Sequence, residues 1–297
     1  MNCWKSEPLY IVLPYFNFCG FKRRKELFME FVNRYKHLKL VVVEVLGPEP
    51  LGKLPVYKHH TVSSDSKIWL KENLINIGSK LLPREWKYMA WIDADLSFLN
   101  QNWVRDTIHE LQDADVVQLW RSAVNLGPKG ETLKIDKSFA YMFIESGTQW
   151  SSSDKYGFWH PGYAWACTRK AYEKMGGLIE WAILGSGDRH MAMALAGLAD
   201  KSCPGNIHQN YILLLKVFQN RIRHFKTSWV DGTIIHYWHG SFADRRYKER
   251  WEILTKNNYD PYEDIAITDK GLVQLSEEGR RFETFLEDYF MNRKEDN

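Results

Sequence analysis

Tyr88-Met89-Ala90-Trp91-Ile92-Asp93-Ala94-Asp95-Leu96-Ser97-Phe98 is the stretch on which the reading of this chain turns. An apolar run suited to a buried strand ends on Asp93 and Asp95, one residue apart, and the chain then turns apolar again. Buried carboxylates are costly unless something compensates their charge, and a divalent cation is a usual compensation. The tripeptide alone carries little weight. Asp113-Ala114-Asp115 repeats it at the expected end of a helix, where acids are simply solvated. What distinguishes the first copy is its place at the carboxyl end of a strand, where open α/β sheets put their ligands.

Strand and helix signals alternate on both sides of this stretch. Leu9-Tyr10-Ile11-Val12-Leu13 is a short apolar run that Pro14 is expected to stop, and residues 25–35 have helical spacing in Leu27, Phe28, Phe31 and Val32. Leu40-Val41-Val42-Val43-Glu44-Val45, closed by Gly47-Pro48, predicts a second buried strand. Ser63-Ser64-Asp65 offers caps for a helix with Leu70, Leu74, Ile77 and Leu81 on one face. Beyond Asp95, Asn102 can cap a helix with Val104, Ile108 and Leu111 on its apolar face, and residues 116–120 form another strand. The repetition predicts an α/β fold, a mostly parallel central sheet flanked by helices, in one doubly wound unit without internal repeats.

Residues 121–160 are less regular, with loop signals at Gly127-Pro128-Lys129-Gly130 and Ser151-Ser152-Ser153-Asp154. A strand near residues 163–167, a helix from Thr168 closed by Gly176-Gly177, and a helix from Asp188 follow. From about Phe242 the chain reads as helical, with Tyr247, Trp251 and Leu254 on one face and Phe282, Leu286 and Tyr289 on another. We therefore expect one domain over residues 1–241, with an N-terminal half about 1–120 and a C-terminal half about 121–241. Residues 242–297 are expected as a small helical appendage on it.

Composition excludes several classes. The 297 residues are 44% hydrophobic and 26% charged, ordinary values for a globular protein with a sizeable core. A net charge of +3 is too small to announce a nucleic-acid binder. Lys22-Arg23-Arg24-Lys25 and Arg221-Ile222-Arg223-His224-Phe225-Lys226 read as solvated faces rather than phosphate tracks. The 13 Trp, 15 Tyr and 15 Phe exceed ordinary usage; most belong in a core, though stacking on sugars or bases also suits them. Cys3, Cys19, Cys167 and Cys203 form no Cys-x-x-Cys pair, which argues against a zinc ribbon or disulfide framework and for a reducing compartment. The first residues lack a signal-peptide pattern and no apolar run is long enough to span a bilayer, so a soluble, intracellular protein is expected.

Three acidic or imidazole sites carry the chemistry: Asp93 with Asp95, Asp188, and His236-Tyr237-Trp238-His239-Gly240 after a β-branched run. Residues three apart on a strand face opposite ways, so both histidines reach one metal only if the chain turns there, as Gly240 permits. Carboxylate plus imidazole, completed by phosphate oxygens, suits Mn²⁺ or Mg²⁺. Asp188 lies in Gly185-Ser186-Gly187-Asp188 ahead of a helix. It reads as an N-cap and, compatibly, as a carboxylate kept ionised for general-base work. Neither a Gly-x-x-x-x-Gly-Lys-Ser/Thr loop nor a Gly-x-Gly-x-x-Gly loop is present, so a bound nucleotide would be held by a metal and by Lys or Arg side chains.

The ordered set of segments over residues 8–255 resembles the GT-A glycosyltransferases, and most of all the β-1,4-galactosyltransferase family and its bacterial or viral relatives. Pro14-Tyr15-Phe16-Asn17 is similar to that family's first nucleotide-binding loop, and Glu44 stands where an acid near the uridine is expected. Lys71-Glu72-Asn73-Leu74-Ile75-Asn76-Ile77-Gly78 resembles its Arg-Ala-Lys-Leu-Leu-Asn-Val-Gly helix and puts Lys71 where an arginine meets the diphosphate. Asp93-Ala94-Asp95 resembles its Asp-x-Asp, Gly185-Ser186-Gly187-Asp188 its Gly-Gly-Glu-Asp, and His236-x-x-His239 its Met-x-x-His. Residues 162–177 resemble the segment ending in Asn-Gly-Phe.

The resemblance implies a GT-A fold and a metal-dependent, inverting transfer of a galactose- or glucose-type hexose from a UDP-sugar to a hydroxyl. A saccharide acceptor is implied before a hydroxymethylated pyrimidine in DNA. Asp95, His236 and His239 would hold Mn²⁺ or Mg²⁺, and Asp188 would be the general base. Pro14, Tyr15, Asn17, Glu44, Lys71, Asp93, Gly185 and Ser186 would bind the donor. The chain departs from the pattern at Leu184, Gly187 and Arg189, where the family has Trp, Glu and Asp, so its N-acetylglucosamine acceptor does not carry over. The family's membrane anchor is missing, which fits a cytoplasmic enzyme of a bacterial cell or a virus-infected host. A catalytically inactive sugar- or nucleotide-binding module is the alternative of another class.

Overall fold

In the computed structural model of the chain, which describes residues 7–145, 159–241, 243–246 and 249–296, Tyr88–Ile92 is a central strand of a seven-stranded sheet. The sheet runs Thr227–Trp229, Val116–Gln118, Ala164–Thr168, Tyr88–Ile92, Leu9–Tyr15, Lys39–Val45, Lys58–Val62. Only Ala164–Thr168 opposes the rest. Chain order leaves Leu9–Tyr15 towards Lys39–Val45 on one side and resumes at Tyr88–Ile92 on the other. The carboxyl ends of Leu9–Tyr15 and Tyr88–Ile92 therefore flank the point where the winding reverses, the place where such sheets bind ligands.

The strands read as continuous apolar runs because both faces of the sheet are covered. Tyr10, Val12, Val41, Val43, Met89 and Trp91 enter one core, and Leu9, Ile11, Leu13, Leu40, Val42 and Ile92 enter the other. Alternate residues on a pleated strand point to opposite faces, so one run feeds two cores. Lys71–Lys80 packs Leu74, Ile75 and Ile77 into the first core, and Lys22–Tyr35 packs Phe28, Phe31, Val32 and Tyr35 into the second. Each such side chain contributes about 1.5–3 kcal/mol by leaving water. No helix among the described residues is long and apolar enough to cross a membrane.

Several local expectations need correction. Pro14 lies inside Leu9–Tyr15 rather than ending it. Pairing with Tyr88–Ile92 stops at Val12, so the strand's end has one neighbour and tolerates a residue without an N–H. Ser63-Ser64-Asp65 caps no helix: Lys71–Lys80 starts after Leu70, and the Ser64 hydroxyl donates to the Ser66 carbonyl in a turn. In Trp103–Glu110 the buried positions are Trp103 and Thr107, followed by Leu111, while Val104 and Ile108 are half-buried. Thr107 turns inward because its hydroxyl donates to the Trp103 carbonyl one turn back. Thr168 does cap Arg169–Met175, and Gly176 closes it at φ 78.

The irregular region holds a second sheet, with strands ordered Leu96–Phe98, Thr233–His236, Ser122–Leu126, Thr132–Ser138, Trp159–His160. Ser122–Leu126 and Thr132–Ser138 form an antiparallel pair around the predicted Gly127-Pro128-Lys129-Gly130 turn. Leu133 and Ile135 are exposed there while Asp136 and Ser138 are buried, which inverts the usual pattern and hides the strands from a sequence reading. Ser151-Ser152-Ser153-Asp154, Cys3, Phe242 and Tyr247 lie outside the described residues. Residues 249–296 are helical only in part. Arg250–Lys256 and Glu283–Met291 are α-helices, with the hairpin Ile265–Ile267 and Val273–Leu275 between them. Phe282, Leu286 and Tyr289 share a buried face within the first core.

Candidate functional site

The register of the second sheet assembles the first constellation. Leu96–Phe98 pairs antiparallel with Thr233–His236, placing His236 opposite Leu96, and the Tyr237 N–H donates to the Asp95 carbonyl at 2.8 Å. The strand ends at His236 and Gly240, at φ 87, lets the chain turn. His239 thereby comes round to the side that His236 faces, the turn on which a shared ligand role depends. Ligand atoms of Asp95, His236 and His239 lie within 4.8 Å of one another, and both imidazoles are buried.

This donor set fits a divalent cation. Asp95 Oδ1 is buried and takes no hydrogen bond, while Oδ2 lies 2.9 Å from His239 Nε2 and 3.8 Å from His236 Nε2. Arg245 Nη2 stands 2.9 Å from the same His239 Nε2. A guanidinium only donates, so this contact calls for a lone pair on Nε2 and the ring proton on Nδ1. Asp95 Oδ2 and that lone pair are then two acceptors 2.9 Å apart, which need positive charge beside them. Arg245 supplies some, and an ion taking two imidazoles and a carboxylate would supply more. Burial raises the Asp95 carboxyl, but His236 and His239 outweigh it and hold the group well below the usual carboxylate range. Burial lowers His236 against the pull of Asp95, which favours the neutral imidazole that a cation needs as ligand.

Lys71 organises the second constellation. Its ammonium lies 2.7 Å from Asp93 Oδ1 and 2.8 Å from Asp188 Oδ2. Burial alone would lower this lysine; Asp188 and Asp93 reverse that and raise it well above its ordinary value. Glu72 is buried beside it and accepts a hydrogen bond from Trp69 Nε1 at 3.0 Å. Burial pushes its carboxyl up to about 8, and Asp93 rises to about 6 mainly for the same reason. Gly187 leaves room for Glu72, since a Cβ there would collide with its carboxylate. Asp188 itself is in the first turn of Gly187–Leu195, two residues past the cap position. Ser186, at φ 83, takes the cap position.

One cavity of about 980 Å³ joins the two constellations. Pro14, Tyr15, Lys71, Asp93, Asp95, Ser186, Asp188, His236 and His239 all line it. Asn17, Glu44 and Gly185 are not among its lining residues. Asn17 spends its side chain on the Tyr15 hydroxyl and on both backbone groups of Phe21. Glu44 accepts from the Leu51 N–H at 2.8 Å and pairs with His59 Nε2 at 2.7 Å. Gly185 packs beneath the Trp69 ring at φ 85. Lys71, expected to meet a diphosphate, does line the cavity, with its charge shared by Asp93 and Asp188. Arg245, and Arg24 and Arg293 paired with Glu295, line the cavity at the metal corner.

Sequence reading missed Glu72, Arg24, Arg245, Arg250, Arg293 and Glu295. Arg24 reads as part of a solvated cluster, yet its guanidinium makes a two-point pair with Glu295 at 2.7 and 2.5 Å. No local signal marks that pair, whose partners are 271 residues apart. The Arg221–Lys226 cluster is, as read, mostly exposed.

No family model matches the chain, and no curated protein matches it. Solved structures do. A Drosophila β-1,4-galactosyltransferase 7 in complex with manganese, UDP-Gal and xylobiose aligns at 12% identity over 91% of this chain and 94% of that one, with a TM-score of 0.42. Glucosyl-3-phosphoglycerate synthase from Mycobacterium tuberculosis, with Mn²⁺, UDP-glucose and phosphoglyceric acid, aligns at 11% identity over 91% and 87%, TM-score 0.43. A 4-diphosphocytidyl-2C-methyl-D-erythritol synthase from Anaerococcus prevotii aligns at 13% over 76% and 89%, TM-score 0.37. All three TM-scores lie below 0.5, so what this chain does is a matter for its own residues.

Proposed function

We propose that this protein is a metal-dependent, inverting glycosyltransferase that moves a hexose from a UDP-sugar to a hydroxyl, with a saccharide as acceptor. The observation that carries the reading is the convergence of Asp95, His236 and His239 in the same cavity as Asp188, at the reversal point of the sheet. A volume of about 980 Å³ suits a donor and an acceptor together.

When bound, Mn²⁺ or Mg²⁺ held by Asp95, His236 and His239 would offset charge on the diphosphate of the donor and of the leaving nucleotide. Arg24, Arg245 and Arg293 add positive charge along that wall. Lys71 donates to Asp188 Oδ2 and fixes the carboxylate in place, leaving Oδ1 to accept the proton of an acceptor hydroxyl as it attacks the anomeric carbon. Attack opposite the leaving group inverts configuration. Asp93, fixed by the other side of the same ammonium, contacts the donor's ribose or sugar rather than the metal.

Thermal-shift screening of nucleotide sugars with and without Mn²⁺ tests the reading. A UDP-hexose that stabilises the protein only with Mn²⁺ supports it; no stabilisation by any nucleotide sugar sinks it. Asp188→Asn is expected to lower transfer at least 10²-fold while UDP binding stays within a few-fold, measured by product formation and calorimetry. An active variant removes Asp188 from the role of base.

A further inference from the structure

Residues 293–296 reach the metal corner from the far end of the sequence. Glu295 is 1% exposed, and Arg293 beside it is also buried. Glu295 Oε1 accepts from Arg24 Nη2 and from Arg293 Nε at 2.7 Å, and Oε2 accepts from Arg24 Nε. Oε2 also faces His239 Nδ1 at 3.7 Å, an electrostatic contact longer than a hydrogen bond. The surrounding backbone is laced to the same place. A Cβ on Gly240 would stand 3.0 Å from the Lys294 carbonyl oxygen and 3.2 Å from that of Arg293, so the turn that delivers His239 packs directly on this segment. Arg23 donates its backbone N–H to Asp296 Oδ1 at 2.8 Å and its side chain to the Trp238 carbonyl at 3.2 Å.

Burying a carboxylate between guanidiniums is a poor way to gain stability, since apolar packing of equal volume does as well or better. The arrangement calls for another reason, and His239 provides it. A ligating histidine has its second ring nitrogen held by a carboxylate or carbonyl, which fixes the tautomer and aims the ring.

We infer that Glu295 is a positioning residue for His239: it holds the Nδ1–H tautomer that turns Nε2 toward Asp95, so that residues 293–296 complete the cation site. This rests on the reading of Asp95, His236 and His239 as that site.

The test is calorimetric titration of the full chain with MnCl₂, without donor, for the unaltered protein, Glu295→Gln, Glu295→Asp and His239→Ala. Circular dichroism in EDTA verifies the fold, and ¹⁵N spectra of histidine-labelled, metal-free protein report the tautomers. Glu295→Gln is expected to weaken Mn²⁺ binding roughly 10- to 100-fold and to shift His239 from the Nδ1–H form to a mixture, with His190 unchanged. A purely structural role would leave the His239 tautomer where it was. Mn²⁺ affinity within twofold of the unaltered protein, or an unmoved His239 tautomer, overturns the inference. If Glu295→Gln does not fold, Glu295→Asp, which keeps the charge but draws it back by one methylene, is judged by the same two readouts. Loss of binding in His239→Ala alone overturns the role of Glu295 and leaves the cation site standing. No Mn²⁺ binding by the unaltered, folded protein overturns both.

Discussion

Lys71 carries the heaviest electrostatic load in the cavity, one buried ammonium between Asp93 and Asp188 with Glu72 at its side. Lys71→Met would leave these carboxylates without their cation. It is expected to cost roughly 3 kcal/mol of stability, read from urea unfolding, and to abolish transfer. Glu72 gives a prediction with a definite sign. Its carboxyl rises from an ordinary 4.5 to about 8, so between those values the folded chain holds a proton that the unfolded chain has lost. Stability therefore falls as pH rises across that window. Glu72→Gln, which still accepts from Trp69 through its amide oxygen, should flatten this slope. It should be about 1–3 kcal/mol more stable than the unaltered protein at pH 8.5 and equal to it near pH 4, by denaturant titration at each pH. An unchanged slope would assign the pH dependence elsewhere. None of this was legible locally: Glu72 reads as an ordinary helix residue, and only burial by Trp69 and Gly187 makes it unusual.

At the scale of elements, Lys71–Lys80 lies close against the sheet because Gly78 has no side chain. A Cβ at Gly78 would overlap Val12 and crowd Val43 at 3.2 Å. Gly to Ala in a helix ordinarily gains about 1 kcal/mol in propensity. Here overpacking against two fixed β-branched residues outweighs that gain, and Gly78→Ala is expected to lose a net 1–2 kcal/mol, or about that, by urea unfolding. The main strands were legible because both faces are buried and the apolar run is continuous. The hairpin of Ser122–Leu126 and Thr132–Ser138 was not, because Asp136 turns inward to Asn125 while Ile135 turns out. The antiparallel run of Ala164–Thr168 was equally hidden, since an apolar strand looks the same in either direction.

For the molecule as a whole, the site exists only where distant segments meet: Asp93 and Asp95 after one strand, His236 and His239 after another, Asp188 on a helix, and Arg293 and Glu295 beyond the last helix. A ligand that binds this assembled state raises its melting temperature. At a hundredfold excess over Kd the linkage is about 2.7 kcal/mol, which for a chain of this size is about 5 °C. UDP-hexose with Mn²⁺ should give such a shift by differential scanning fluorimetry, and EDTA should abolish it. The sequence by itself determined the alternation of elements, the mostly parallel sheet, and the strand end that Asp93 and Asp95 occupy, because hydrophobic period and turn residues are local properties. Tertiary structure alone decided which charges meet. It turned Lys71 toward Asp93 and Asp188, withdrew Asn17 and Glu44 from the cavity, and brought Glu295 to His239. Charge pairing acts over a few ångströms in space, and separation along the chain leaves no trace of it in the sequence.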